Sequence, residues 1–272
     1  MNFLTFPGGE PHCRLIAEQI REKTVIIDAR IGSMQDFGML LVAADAIHRS
    51  GPLATYLFIP YFPGARQDVA VPGVPLTVNV YAQIINDLFL QGVFIVDPHS
   101  AVTPALVHNC HILYPWELGL QFSVATAHYE GIICPDAGAE KRVNIARHML
   151  GLEDVPVYHG RKTRDPLTGK LSNFAIDDLD PFKNVFLMID DICDGGGTFI
   201  ELAKIVYSVN PLAKLDLMVT HGIFSKGTSD LLAHFRRIYT TDSFPNNYKE
   251  TSVSRLNLFQ SSIPVLNERC KP

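Results

Sequence analysis

The sequence lacks any apolar run approaching the ~20 residues of a membrane-spanning helix. Its N-terminus, MNFLTFPGGEPHCRL, has no basic opening, long apolar centre or small-residue cleavage site, so no secretory signal is expected. Excess positive charge is missing too. With 23 Lys+Arg against 28 Asp+Glu the net charge is −5, the wrong sign for a polyanion, and no nucleic-acid partner is expected. The five cysteines (Cys13, Cys110, Cys134, Cys193, Cys270) are odd in number and contain no CxxC pair, which argues against a disulfide framework or a thiolate zinc site. There is no low-complexity tract and no short-period repeat. The cytoplasm is the expected setting, with no membrane association.

What is present is core material. Hydrophobic residues make up 47% of the chain and charged residues 19%, a globular balance. At ~100–200 residues per domain, 272 residues predict two domains. Short β-rich apolar runs at 24–29, 54–62, 92–98, 131–136, 155–159, 184–191, 214–221 and 237–243 alternate with stretches of helical spacing at 36–50, 76–90, 139–150 and 198–210. That alternation predicts an α/β fold with mainly parallel sheets covered on both faces. The periodicity weakens near 100–130, placing the domains at 1–125 and 126–272. Residues 160–182 are a polar insert, either a solvated hairpin or a functional flap. A last strand is expected at LNLFQ (256–260).

Chemistry concentrates at VFLMIDDICDGGGTF (185–199). An apolar strand ends in Asp190 and Asp191, and Asp194, Gly195, Gly196, Gly197 and Thr198 follow before a helix. Ligands of open α/β sheets sit at the carboxyl ends of strands. Glycines let backbone N–H groups curl around a phosphate, and the helix N-terminus adds its positive end. Carboxylates beside such a cradle suit sugar hydroxyls or Mg²⁺. Elsewhere, Arg66 offers a planar fork for phosphate and Gln67 can read an adenine edge. Asp136 ends another apolar strand, where it either faces a ligand or caps the helix after Gly138. His108, Cys110 and His111 cluster without a recognisable zinc spacing.

DDICDGGGT resembles the ribose-phosphate loop of type I phosphoribosyltransferases and, more closely, that of ribose-phosphate pyrophosphokinases. FPGGE (6–10), PYFPGARQD (60–68), IVDPHS (95–100), CPDAGAEKR (134–142) and MVTHGIFSKG (218–227) resemble further pyrophosphokinase segments, in the family's order. The resemblance implies two tandem phosphoribosyltransferase-like domains and transfer of the β,γ-diphosphate of ATP to the anomeric hydroxyl of a ribose 5-phosphate moiety. It implies an ATP side of Phe6, Gly8, Gly9, Glu10, Arg66, Gln67 and Asp68, and a ribose-phosphate side of Asp190, Asp191 and 194–198. Mg²⁺ would be held by His99 and Asp136, and a mobile loop would carry the cations Lys162 and Arg164. A homo-oligomer, a dimer at least, is also implied. The alternatives are a phosphoribosyltransferase or a non-catalytic regulatory homologue.

The sequence departs from this family in three places. FPGGE begins at residue 6, without the opening strand–helix unit, which puts hexamer assembly and feedback inhibition in question. Gly8 replaces an Asp or Asn. Gly195 and Gly196 replace Thr-Ala, removing a hydroxyl donor worth ~1 kcal/mol to a phosphate and making room beyond it. That room suits an esterified 5-phosphate, and similar short proteins are associated with nicotinamide salvage. ADP-ribose therefore stands beside ribose 5-phosphate as the expected acceptor.

Overall fold

The computed structural model describes residues 1–120, 124, 127–164, 171–245 and 250–270, with the side chains of 162–164 and 171–173 outside that description. The chain divides into two compact units. One comprises Met1–Tyr114 with Ser243–Pro245 and Leu258–Pro272, the other Pro115–Asp242 with Asn246–Asn257. The sequence pattern placed the boundary at 125/126. The apolar runs do not mark it, because the chain crosses between units again near its end.

The first unit opens with an antiparallel hairpin of β1 (Asn2–Thr5) and β2 (Pro11–Arg14). Four parallel strands follow in spatial order: β3 (Thr24–Asp28), β4 (Ala54–Phe58), β5 (Gly92–Val96) and β6 (Cys110–Leu113). Helices α1 (Met34–Arg49), α2 (Thr77–Asn86) and α3 (Val102–Leu106) connect them. Ser33 starts α1 as a reciprocal cap: its Oγ accepts from the Asp36 N–H at 3.2 Å and donates to the Asp36 carboxylate at 2.8 Å. Strand β4 ends at Phe58, short of the expected residue 62, where Pro60 and Pro63 cannot donate to a ladder. Strand β6 lies in the stretch read as irregular. It pairs along β5 from Val93↔Cys110 to Val96↔Leu113, and the His111 ring stacks on Phe94 at 4.8 Å.

The second unit is a seven-stranded sheet. Its members are β7 (Gly131–Cys134), β8 (Val157–Arg164), β9 (Leu171–Ile176), β10 (Val185–Cys193), β11 (Lys214–Gly222), β12 (Arg237–Thr241) and β13 (Val253–Leu256), in the order β13-β12-β11-β10-β7-β8-β9. All pairings are parallel except β8 with β9, so the polar insert is partly an antiparallel hairpin. Helices α4 (Glu140–Leu150), α5 (Gly197–Val209) and α6 (Ser229–Leu232) belong to this unit. Its core includes Phe186, Met188, Leu202, Val206, Leu215 and Leu217, each fully buried. Burying one such side chain stabilises the fold by about 1.5–3 kcal/mol.

A carboxylate is buried with them. Asp216 accepts two bonds from Arg236, at 3.0 and 2.7 Å, and one from the Tyr129 hydroxyl at 2.9 Å. Removing a partner from such a group typically costs about 3–5 kcal/mol.

The chain then returns to the first unit as α7 (Leu258–Arg269), where Phe259 meets Phe58 edge-on at 5.8 Å. The strand expected at 256–260 is corrected accordingly. Strand β13 stops at Leu256, and Leu258, Phe259 and Gln260 open a helix whose inward positions are Leu258, Ser262 and Leu266. Only Leu256 of that run is in a strand, and Leu258, Phe259 and Gln260 follow the 3.6-residue period of the helix. No helix among the described residues is long and apolar enough to cross a membrane.

Candidate active site

Strand order locates the crevice of the second unit. From β7 the chain moves outward to β8 and β9, then returns to the other flank of β7 as β10. Connections leave β7 and β10 in opposite directions, and the space outside their carboxyl ends is where open parallel sheets take ligands. Asp136 follows β7, and residues 190–198 run from the last residues of β10 into the first turn of α5, so two sequence-predicted groups share one switch point. Close approach here is set by Gly160, where a Cβ would come within 2.6 Å of the Pro135 carbonyl oxygen.

Asp190 is partly buried and Asp191 buried, and the Asp190 carboxylate accepts from the Asp191 N–H at 2.9 Å. Arg142, in the first turn of α4, spans both. Its Nη1 lies 3.8 Å from Asp190 and its Nη2 3.7 Å from Asp191. Burial first, and then the Asp191 charge, push the Asp190 carboxyl well above its usual range, while Arg142 opposes that rise. Crowded negative charge of this kind favours ligands that bring hydrogen-bond donors or a cation.

The loop beyond is held open by its glycines. Gly196 has φ +76° and caps α5, and a Cβ there would also meet Leu231 at 3.0 Å. Glycine at 196 is therefore a backbone requirement, and its missing side chain makes no room for a larger ligand. Space lies on either side of it. A Cβ on Gly197 would have nothing within 4 Å, and one on Gly195 would make ordinary contact with the Lys226 stem at 3.5 Å. The first-turn amides of α5 lack intrahelical acceptors and sit at its positive end, beside half-buried Thr198. Amides in this position suit an anion, and the carboxylate pair precedes them on the same strand-to-helix connection.

Asp136 caps the short turn at Ala137–Ala139, its Oδ1 accepting from the Gly138 N–H at 2.9 Å, so the capping reading is realised. Lys162 and Arg164 lie on strand β8; their side chains and residues 165–170 fall outside the described residues.

In the first unit, FPGGE forms the hairpin turn between β1 and β2. The Phe6 N–H donates to the Glu10 carbonyl at 2.9 Å, the Gly9 N–H donates to the Phe6 carbonyl at 2.8 Å, and Gly9 takes φ +91°. Phe6, Gly8, Gly9 and Glu10 are all exposed. GARQD follows β4, with Arg66 and Gln67 exposed and Asp68 half-buried. His99 is exposed just beyond β5, after Asp97, a buried residue at φ +42° whose N–H donates to the Leu113 carbonyl at 2.9 Å. A non-glycine residue with positive φ costs of order 1 kcal/mol and persists where its surroundings hold it.

No family model matches the chain. Ribose-phosphate pyrophosphokinase of Pyrococcus furiosus is 28% identical over 270 residues, spanning 96% of this chain and 90% of that protein. The same-named protein of Pyrococcus abyssi is 28% identical over 264 residues, spanning 91% and 85%. The chain is a homologue of ribose-phosphate pyrophosphokinases. The crystal structure of phosphoribosylpyrophosphate synthetase from Mycobacterium smegmatis agrees with a TM-score of 0.80 at 20% identity, covering 99% of this chain and 88% of that one, which bears on the fold alone. Two phosphoribosyltransferase-like α/β units are thus what the pyrophosphokinase resemblance anticipated.

Arg142 is the site residue that sequence reasoning passed over in this pyrophosphokinase homologue, although it stands inside CPDAGAEKR. One signal was legible. A cation in the first turn of a helix opposes the helix dipole by about 0.3–1 kcal/mol, so its presence there calls for a compensating anion. The carboxylate pair is that anion.

Proposed function

We propose that this protein transfers the β,γ-diphosphate of ATP to the anomeric hydroxyl of ribose 5-phosphate, releasing AMP. One observation carries the reading: a carboxylate pair and a glycine cradle on a helix N-terminus share the switch-point crevice of the second unit. Asp190 and Asp191 accept from the ribose 2- and 3-hydroxyls, and the amides of 195–198 with Thr198 hold the 5-phosphate. So fixed, the C1 hydroxyl oxygen attacks the β-phosphorus. The bond from that phosphorus to the oxygen bridging to the α-phosphate breaks, AMP leaves with the bridging oxygen, and the hydroxyl proton passes to water. Orientation of this kind supplies much of the acceleration in phosphoryl transfer. Phe6, Gly8, Gly9, Glu10, Arg66, Gln67 and Asp68 serve ATP, and Lys162 and Arg164 neutralise the migrating diphosphate.

Among the described residues no three His, Cys, Asp or Glu side chains gather as a ready cation cage. His99 in the first unit and Asp136 in the second would each offer Mg²⁺ a single protein ligand, with phosphate and water oxygens supplying the remaining coordination. When bound, Mg²⁺ withdraws charge from the phosphates.

A second reading takes ADP-ribose as acceptor, favoured by the open space at Gly197. The reaction is assigned to the cytoplasm, and the working assembly to a homo-oligomer, a reading supported by the exposed Phe3 and Leu4 of β1. The test is AMP release from Mg·ATP with ribose 5-phosphate and ADP-ribose in parallel, repeated with EDTA and with Asp191→Asn. Acceptor-dependent AMP, lost in both controls, is expected. Base-dependent consumption of a ribosyl diphosphate without AMP would point instead to a phosphoribosyltransferase. Neither activity from folded protein would refute the proposal and leave the regulatory homologue.

A further inference from the structure

The loop that cradles the acceptor's phosphate has a neighbour which the proposed reaction leaves unused. The stem of Lys226 runs beside Gly195: an ideal Cβ on that glycine would lie 3.5 Å from Lys226 Cε, 3.6 Å from Cδ and 3.9 Å from Cγ. The ammonium is one bond beyond Cε, which puts it within reach of the loop. Lys226 is exposed, and no ion pair engages it among the described residues.

Its position is built in. The Ile223 and Phe224 N–H groups both donate to the Cys193 carbonyl, at 2.9 and 3.1 Å, and the Ser225 N–H donates to the Asp194 carbonyl at 3.2 Å. These bonds lash 223–225 to the residues that open the glycine loop. The Gly227 N–H then donates to the Phe224 carbonyl at 2.8 Å, closing a tight turn with Lys226 near its tip. Phe224 is buried within that turn at φ +46°, a conformation that a bulky residue keeps only when its surroundings impose it. Glycine at 195 and lysine at 226 are complementary. A hydroxyl-bearing side chain at 195 would compete for the space along the stem, and without one the loop needs a donor from elsewhere.

We infer that Lys226 is a substrate-binding residue whose ammonium pairs with the 5-phosphoryl group of the acceptor, replacing the hydroxyl donor that the triple-glycine loop lacks. The inference deepens the proposed function and rests on it for the identity of the acceptor. Pairing with the phosphoryl group next to the ribose makes Lys226 equally necessary for ribose 5-phosphate and for ADP-ribose.

Lys226→Met keeps the stem and removes the charge, and Lys226→Arg keeps the charge. The full-length protein and both variants are titrated calorimetrically with ribose 5-phosphate and with ADP-ribose at low and high salt, and KM and kcat are measured for acceptor and ATP. Lys226→Met is expected to weaken binding and raise the acceptor KM about tenfold, the value of one lost charge-assisted bond. ATP KM and kcat stay within twofold, the salt dependence flattens, and Lys226→Arg recovers most of the affinity. Three results overturn the inference: unchanged acceptor binding in Lys226→Met, an equal rise in the ATP KM, or a loss confined to ADP-ribose. Binding is read without turnover, so absence of AMP release from the wild-type protein sinks the proposed reaction alone. Turnover with intact Lys226→Met binding sinks Lys226 alone.

Discussion

Replacing Arg142 by Met removes the cation that spans Asp190 and Asp191, and the consequences can be worked from two distances. At 3.8 and 3.7 Å the contacts are nearly equal. Each is worth roughly 4 kcal/mol as a bare charge pair at an effective dielectric of ~20. Desolvation and the repulsion between the carboxylates offset much of this, leaving an expected coupling of about 1–2 kcal/mol per pair. Burial already holds the folded Asp190 carboxyl above its unfolded value. A group shifted in that direction favours folding below its unfolded pKa and loses the contribution as pH rises through the folded one. Taking away Arg142 raises the carboxyl further, so Arg142→Met should cost about 2 kcal/mol at pH 8 and clearly less at pH 5, where Asp190 is more fully protonated. Asp190→Asn alone should stabilise the protein at pH 8 while destroying diol binding, and in that background the cost of Arg142→Met should fall by about half. Urea unfolding of the four proteins at both pH values measures the cycle. A coupling below ~0.5 kcal/mol, or an Arg142→Met cost independent of pH, would falsify the electrostatic account of this site.

Two further perturbations follow. Gly196→Ala forces a Cβ into a left-handed position at 3.0 Å from Leu231; a loss of about 1–2 kcal/mol in thermal unfolding is expected, with a larger fall in acceptor affinity than Gly197→Ala, whose Cβ meets nothing. Burial pushes the Cys110 thiol up to about 11 and the Cys134 thiol up to about 12, so a thiolate-selective reagent at pH 8 should label both far more slowly in the native protein than in urea; equal rates would contradict their burial.

Long periodic elements were the most legible part of the fold. Helices α1, α4 and α5 start and stop within two residues of their expected bounds, because Ser33 and the glycines at 151 and 196 punctuate them. The short edge strands β1, β2, β6 and β13 were not legible. Each has four residues and little burial to mark it, unlike the equally short but fully buried β7, and β1 is exposed throughout. At the site, the acidic pair and glycines could be read because their composition is improbable for an ordinary turn. What the glycines do could not be. Gly196 answers to backbone conformation, Gly195 to a lysine thirty-one positions away and Gly197 to neither, and only packing separates them. Lys226 was missed as a site residue for the same reason: it is an unremarkable basic residue until folding brings the glycine loop beside it, whereas Arg142 at least stood against a helix dipole.

The return of α7 to the first unit has a consequence for synthesis. A growing chain emerges N-terminus first, and units whose residues are contiguous can close while translation proceeds. Here the strands and helices of residues 24–113 leave the ribosome early, but Phe259, which covers Phe58, comes roughly two hundred residues later. The first-made unit is therefore the last to be completed, after the second unit has its full complement of strands, and it spends the interval with an apolar face uncovered. Nascent chains arrested after residue 245 should accordingly have the greater need of a holdase.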